Sequence, residues 1–403
     1  MAARRVLVVF LLLIVAAGLW FWWTTRAPSP GALSLTQASF SDLPGWSDND
    51  PRDALAAFRR SCAALARLPA AHAMGDYAGD AGDWQGVCSA LPSSTSSASA
   101  ARNYFETWFA PVAIGGEGLF TGYYEPELRA SRTRHGAFQT PIYGLPSDLV
   151  SVDLGLFRAD LSGEHIEGQL TGHKLAPYPT RAEIDAHGVP APVLFYAEDP
   201  IAVFFLHVQG SGRVRLEDES VARVAYAGQN GRPYTPVGRS LIENGSLTRG
   251  DVSLQSIRGW LQSHPDQRQA MLETDQSFVF FQEKPIGDPT LGSDGSEGVA
   301  LTPGASLAVD AHLHPLGAPF YVATTASDTE AGKAVPLLQR LLIAQDTGGA
   351  IKGAVRGDVF WGFGPRAEDM AGRMTSRGHF YALLPKAVAA RITSYTEYSG
   401  TAR

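Results

Sequence analysis

Apolar and polar positions change their rhythm three times along this chain. Residues 6–23 are apolar without interruption and follow Arg4 and Arg5. A helix of that length rises about 27 Å, close to the thickness of a bilayer core. Trp20, Trp22 and Trp23 stand at its far end, where an aromatic belt belongs, and the arginine pair marks the cytoplasmic side. No lipidation cysteine follows, and the bulky FWW cluster occupies the place of a small-residue cleavage site. The expectation is an uncleaved anchor over residues 1–26, with removal as a signal peptide as the alternative. Either way the body is exported, to a periplasmic location at the inner membrane. Residues 27–45, rich in Pro and Ser, read as a linker.

Helical spacing then appears over residues 53–68 (DALAAFRRSCAALARL) and 103–109 (NYFETWF), separated by a Ser-rich stretch at 93–101 that reads as a loop. From Leu119 the pattern turns to β-branched and aromatic runs broken by Gly and Pro. LFTGYYEPEL, QTPIYGLP, VLFYAEDPIAVFFLHVQGSG and VARVAYAGQNGRPY are all expected as strands. Helices are expected at 235–244 and at 252–264, the second capped by Asp251. Strands return at 277–282, 307–310, 320–324, 341–346, 359–361 and 380–384. The arrangement predicts a mainly β protein with few helices, one discontinuous domain receiving a second as an insert.

Composition sharpens this picture. With 42 Gly and 26 Pro in 403 residues, turns are abundant and a helical bundle is disfavoured. A net charge of -7 argues against a nucleic-acid binder, whose affinity rests on phosphate neutralisation. Phosphate-loop, dinucleotide-binding and HExxH motifs are absent. The two cysteines, Cys62 and Cys88, read as one structural disulfide in an oxidising compartment. His312 and His314 stand in no metal-ligand pattern and read as loop residues, so no metal or cofactor is expected.

The chemistry concentrates in LLIAQDTGGAIKGAVRGDVFWGFG, residues 341–364. Asp346 ends an apolar strand, Gly348 and Gly349 follow, and Asp358 opens the next strand just before Trp361. Two carboxylates on neighbouring strands suit general acid/base work, and Trp361 offers a flat face for a sugar ring. Each aspartate alone could simply cap a turn. Thr121, Tyr123 and Tyr124 form a second cluster with Glu125, although Tyr124 could equally belong to the core. Gln209 and Ser211 sit at what reads as the end of the strand through His207, beside glycines that suit a hairpin or a close-approaching ligand.

Taken together, FTGYYEPEL (120–128), FQTPIYGLP (138–146), FFLHVQGSGRVRL (204–216), YTPVGRSLI (234–242), SFVFF (277–281), SLAVDAHLHPLGAPF (306–320) and the 344–364 motif resemble the membrane-bound lytic transglycosylase A family. Residues 309–362 also resemble the 3D domain, whose aspartates would be Asp310, Asp346 and Asp358. The resemblance implies a double-psi β-barrel from residues 46–125 and 275–390, with a smaller β-barrel domain, residues 126–274, forming the other wall of a groove. It implies cleavage of the MurNAc–GlcNAc β-1,4 bond without water, leaving 1,6-anhydromuramyl ends, by a monomer acting on peptidoglycan glycan strands. Asp358 matches the catalytic acid/base and Asp346 its neighbour, expected to raise the Asp358 pKa by like charge or to hold it through hydrogen bonds. Thr121, Tyr123, Tyr124, Gln209, Ser211, Gly348, Gly349 and Trp361 would border the substrate. An inverting hydrolase using the same carboxylates, or an expansin-like wall-binding module, are the competing readings.

Overall fold

The computed structural model describes residues 33–93, 97–161, 164–324, 337–392 and 396–398. In chain order its strands are β1 (Leu33–Gln37), β2 (Phe109–Glu125), β3 (Glu127–Ser131), β4 (Thr140–Tyr143), β5 (Val150–Asp153), β6 (His165–Thr171), β7 (Lys174–Pro177), β8 (Val193–Ala197) and β9 (Ser211–Arg215). They continue with β10 (Val221–Gln229), β11 (Val279–Lys284), β12 (Ser306–Ala308), β13 (Pro319–Thr324), β14 (Gln339–Asp346), β15 (Arg356–Phe363), β16 (Thr375–Pro385) and β17 (Thr396–Tyr398). The protein is mainly β, with short helices.

One sheet runs β15-β12-β14-β13-β16-β2-β1-β17, and β15 also pairs with β2. The 17-residue β2 is long enough to pair with β1 over residues 112–114, with β16 from Phe109 to Thr121 and with β15 from Leu119 to Glu125. Pairings from β15 through β12, β14, β13, β16 and β2 therefore return to β15. All six residues of β13 are buried, as a strand enclosed on both faces should be. Helices Arg52–Leu65, Ala81–Ser89 and Ala98–Trp108 lay Leu55, Phe58, Trp84 and Phe105 against this core. Cys62 and Cys88 are bonded and tie the first two helices together. The second sheet runs β11-β10-β9-β3-β8-β4, and β5-β6-β7 form a third.

Several elements differ from the sequence reading. PIAVFFLHVQ, expected as part of a strand, is the helix Pro200–Gln209. Its start and stop signals outweigh its β-branched content: Asp199 accepts from Ile201 N, Pro200 opens the first turn, and Gly210 ends it at φ +76°. The helix Leu254–Ser263 is capped by Ser253, not Asp251, because the Ser253 hydroxyl reaches the amide of Ser256. Ser97 likewise caps Ala98–Trp108, so part of the expected Ser-rich loop is helical. Within the expected linker, Leu33–Gln37 forms β1, paired with β2 and β17. Strand β11 pairs with β10, so the second sheet extends past the boundary expected at residue 275. His314 lies in a loop as expected, but it is buried. Among the described residues no helix is long and apolar enough to cross a membrane; the apolar run at 6–23 lies outside them.

A buried ion cluster joins the two main sheets. Glu125, the last residue of β2, is fully buried. Its carboxylate faces Arg213 Nε of β9 at 3.2 Å and Arg223 Nε of β10 at 3.4 Å, and accepts from Ser293 N at 2.6 Å. Both arginines also reach Leu291 O, and Arg213 lies 3.3 Å over the Phe363 ring of β15. Removing one partner strands the others in a medium that cannot solvate them. Glu125→Ala is expected to lower the unfolding free energy by about 3–5 kcal/mol, read from denaturant titration. A loss near that of an exposed substitution would mean that the cluster does not hold the sheets together.

Candidate active site

The three-residue strand β12 lies between β14 and β15, and Ala308 pairs with Asp346 on one side and Asp358 on the other. Two strand spacings set the Cα atoms of these aspartates roughly 10 Å apart. On its far side β15 runs parallel to β2, with Asp358 opposite Thr121 and Phe360 opposite Tyr123. Sheet register, rather than any local motif, thus brings residues from three parts of the chain to one place.

Thr121 Oγ1 donates to Asp358 Oδ1 at 2.7 Å and accepts from an Nη of Arg356 at 2.9 Å. Arg356 is itself fixed by Gly357 O at 2.6 Å and Leu119 O at 3.2 Å. Asp358 Oδ2 has no hydrogen-bond partner among the described residues, and the side chain is only partly buried. The surrounding protein pushes the Asp358 pKa up to about 6 by desolvation, against the opposing pull of the Thr121 hydrogen bond and the Arg356 charge. The like charge of Asp346 is the smallest contributor, so burial, not the neighbouring aspartate, dominates the shift.

Asp346 is held differently. Tyr123 Oη donates to its Oδ2 at 2.7 Å, while Ser296 N and Oγ each reach Oδ1 at 3.0 Å. Burial raises its pKa, and the hydrogen bonds from Tyr123, Ser296 and Thr347 oppose that rise. Tyr123 packs its ring 5.2 Å from Phe360, and burial beside Asp346 drives its own pKa far up, so it stays a donor.

The remaining candidates lie around this pair. Tyr124 is buried with Ala367 and Ala371, and the half-buried Trp361 packs on the same cluster. A Cβ at Gly122 would come within 2.6 Å of the Trp361 indole nitrogen, so the β2 backbone closes one side of that ring. Gln209 Oε1 accepts from Tyr124 N at 3.0 Å, tying its helix to β2. Ser211 opens β9 opposite Ala225, without contact to the aspartates. Gly348 approaches Ile351, where a Cβ would stand 2.8 Å from that side chain, and Gly349 is exposed beside it.

Three supporting residues escaped the sequence reading. Arg356 carried a legible signal, since two positions before Asp358 it shares that strand's face. Ser296 carried none, because its loop meets Asp346 only through the fold. His314 Nε2 donates to Ala354 O at 2.7 Å. Together with Asp310, which accepts from Gly353 N at 2.9 Å, it pins the glycine-rich connection between the catalytic candidates. Asp310, the third aspartate of the motif, thus has a structural task.

Comparison with known proteins agrees with this arrangement. The MltA specific insert domain matches residues 119–282 and the 3D domain matches residues 305–384. Membrane-bound lytic murein transglycosylase A of Escherichia coli K12 is 32% identical over 271 residues, covering 66% of each chain. That of Vibrio cholerae is 33% identical over 275 residues, again covering 66% of each chain. The chain thus spans about two thirds of the length of these relatives. The crystal structure of a membrane-bound lytic murein transglycosylase from Agrobacterium tumefaciens superposes with a TM-score of 0.77 at 33% identity, covering 89% of this chain and 99% of that one. Escherichia coli MltA with bound chitohexaose gives a TM-score of 0.61 at 25% identity, covering 90% of this chain and 96% of the other. The chain belongs to the membrane-bound lytic murein transglycosylase A family.

Proposed function

We propose that this protein is a peptidoglycan lytic transglycosylase with Asp358 as its single general acid/base. The observation that carries the reading is the state of that carboxyl: one oxygen held by Thr121, the other uncommitted, and a pKa pushed up to about 6. A carboxyl so poised can hold a proton near neutral pH and also give it up. Asp346, with both oxygens already accepting hydrogen bonds, suits an electrostatic and positioning role.

Protonated Asp358 delivers its proton to the glycosidic oxygen as the bond to the muramyl C1 breaks through an oxocarbenium-like transition state. The resulting carboxylate removes the proton of the C6 hydroxyl of the same sugar, whose oxygen bonds C1. The products are a free GlcNAc 4-hydroxyl and a 1,6-anhydromuramyl end, and Asp358 is again protonated. An internal nucleophile replaces a positioned water through its effective molarity. No cofactor enters the balance.

The returning strand pairings, with parallel pairs β2–β15 and β12–β14, support reading the first sheet as a double-psi barrel. The glycan would lie between it and the inserted part, over Thr121, Tyr123, Gly348 and Gly349. The chitohexaose bound to the Escherichia coli relative supports a β-1,4 glycan ligand. The segment at 6–23 would hold a monomer on the periplasmic face of the inner membrane, within reach of the wall.

Digestion of purified peptidoglycan with the full chain should release products one water lighter than reducing muropeptides, as mass spectrometry would show. Asp358→Asn should lower the rate by at least about a hundredfold. Reducing ends would instead mean hydrolysis, and binding without release would leave only a wall-binding module. The Arg356 charge stabilises the Asp358 carboxylate, so removing it should raise that pKa and keep the acid protonated to higher pH. For Arg356→Gln, the alkaline limb of kcat/KM should move upward by roughly one pH unit. An unmoved limb would show that Arg356 does not tune Asp358.

A further inference from the structure

A further carboxyl is built into the segment that holds Asp346. Gly298 N donates to Gly295 O at 2.8 Å, closing a β-turn whose two central residues are Ser296 and Glu297. Side chains at such a tip ordinarily face water. Ser296 is exposed, with its N and Oγ each 3.0 Å from Asp346 Oδ1 and its Oγ 2.6 Å from Thr347 Oγ1. Glu297 turns the other way. Its Oε2 accepts at 2.7 Å from Ser61 Oγ, a fully buried group of the helix Arg52–Leu65. Its Oε1 is buried and has no hydrogen-bond partner among the described residues. A Cβ at Gly317 would stand 2.7 Å from that oxygen, so backbone closes over it.

The turn grips the residue beside Asp346 twice. Glu297 N donates to Gln345 O at 3.1 Å, and a Cβ at Gly295 would come within 2.4 Å of the same oxygen. The buried Gln345 side chain donates to Ser61 Oγ at 2.9 Å and to Ala57 O at 3.0 Å. Ser61 therefore accepts from Gln345 and gives its one proton to Glu297. No cation pairs with Glu297 among the described residues. Arg60, next to Ser61 in the helix, turns its guanidinium to Thr302 Oγ1. The other charged groups on the elements around it are Asp346 on β14 and Asp294 on its own segment, both acidic. The segment leading to Gly317 carries Asp310, committed to Gly353 N, His312, and His314, which is neutral. Burial pushes the Glu297 pKa up to about 7, against only the pull of the Ser61 and Gln345 side chains.

We propose that Glu297 is a positioning residue for Asp346: protonated, it keeps the turn docked and Ser296 on the Asp346 carboxylate, and ionised, it leaves the buried site and draws Ser296 away. The role rests on the function proposed above. A carboxylate with one donor is costly in such a setting, whereas water is close, because Glu297 as a whole is partly exposed. Once the turn lifts, Asp346 keeps Tyr123 on Oδ2 but loses both Ser296 donors on Oδ1. The folded protein holds the Glu297 proton more tightly than the unfolded chain does. The stability it contributes is therefore complete at low pH and is lost as pH rises through about 7.

Two measurements on the full chain test this against Glu297→Gln, whose amide keeps the shape of the carboxyl and does not ionise. In thermal unfolding between about pH 5 and pH 8, the wild-type midpoint should fall by several degrees relative to the variant. In peptidoglycan digestion above about pH 7, kcat of the wild type should fall about tenfold further than that of the variant, with KM alike. Asp358 titrates in both proteins and cancels from the comparison. Should Glu297→Gln fail to fold, Ser61→Ala decides. It removes a hydrogen bond that favours the carboxylate, so the extra alkaline loss should move up by roughly one pH unit. A constant difference between the midpoints, or an unmoved loss in Ser61→Ala, overturns the proposal. Cleavage profiles that stay parallel while the midpoints diverge also overturn it, leaving the carboxyl a structural feature only. A wild type that cleaves nothing at any pH, with the midpoints still diverging, sinks the proposed function and the positioning role with it.

Discussion

The structure depends on one buried carboxylate, Glu125, and the two arginines that neutralise it. A lone charge in that position would be prohibitive, so the strand end must meet Arg213 and Arg223 wherever the chain folds. Thr121, Tyr123 and Glu125 are successive residues on one face of β2. The first donates to Asp358, the second to Asp346, and the third anchors the strand to the inserted sheet. The alternate positions, Gly122 and Tyr124, face Trp361 and the buried cluster beneath it. A one-residue slip of β2 would exchange these two sets, taking the hydroxyls from the aspartates and exposing apolar surface. The clamp and the core therefore enforce the same register.

That register also explains why two similar aspartates differ. Both sit at strand positions flanking Ala308, yet Asp346 accepts from Tyr123, Ser296 and Thr347, whereas Asp358 accepts from Thr121. Hydrogen bonds to a carboxylate favour its charged form and occupy the lone pairs a substrate proton would need. Burial lifts both pKa values, but only Asp358 keeps an oxygen uncommitted. The chemical asymmetry comes from the neighbours, not from the residues.

Much of this was legible in the sequence because it is local. Strand alternation, the Asp346–Asp358 spacing and the TGYYE cluster are written in consecutive residues. What escaped notice was of two kinds. The helix Pro200–Gln209 was misread because its apolar run satisfies strand and helix alike, and the deciding marks were Asp199, Pro200 and Gly210 at its ends. Ser296 was invisible because its contact with Asp346 spans 50 residues and depends on the return of the chain to β14. Trp361, read as a flat face beside Asp358, is half-buried with its indole nitrogen against the β2 backbone at Gly122.

The third aspartate completes the argument about division of labour. The connection from Asp346 to Asp358 holds four glycines, Gly348, Gly349, Gly353 and Gly357, and so has little intrinsic preference for any one conformation. Left alone it would let the two strand ends drift, and a general acid misplaced by about 1 Å loses much of its effect. Asp310 takes the amide of Gly353, and His314 gives its Nε2 proton to Ala354 O while its Nδ1 meets Tyr77 Oη at 2.8 Å. Buried deep enough to hold its pKa down at about 4, His314 stays neutral across the working range and its tautomer does not change. Three aspartates within one short domain therefore stand in three different settings: Asp358 keeps one oxygen uncommitted, Asp346 has both occupied, and Asp310 pins the loop between them.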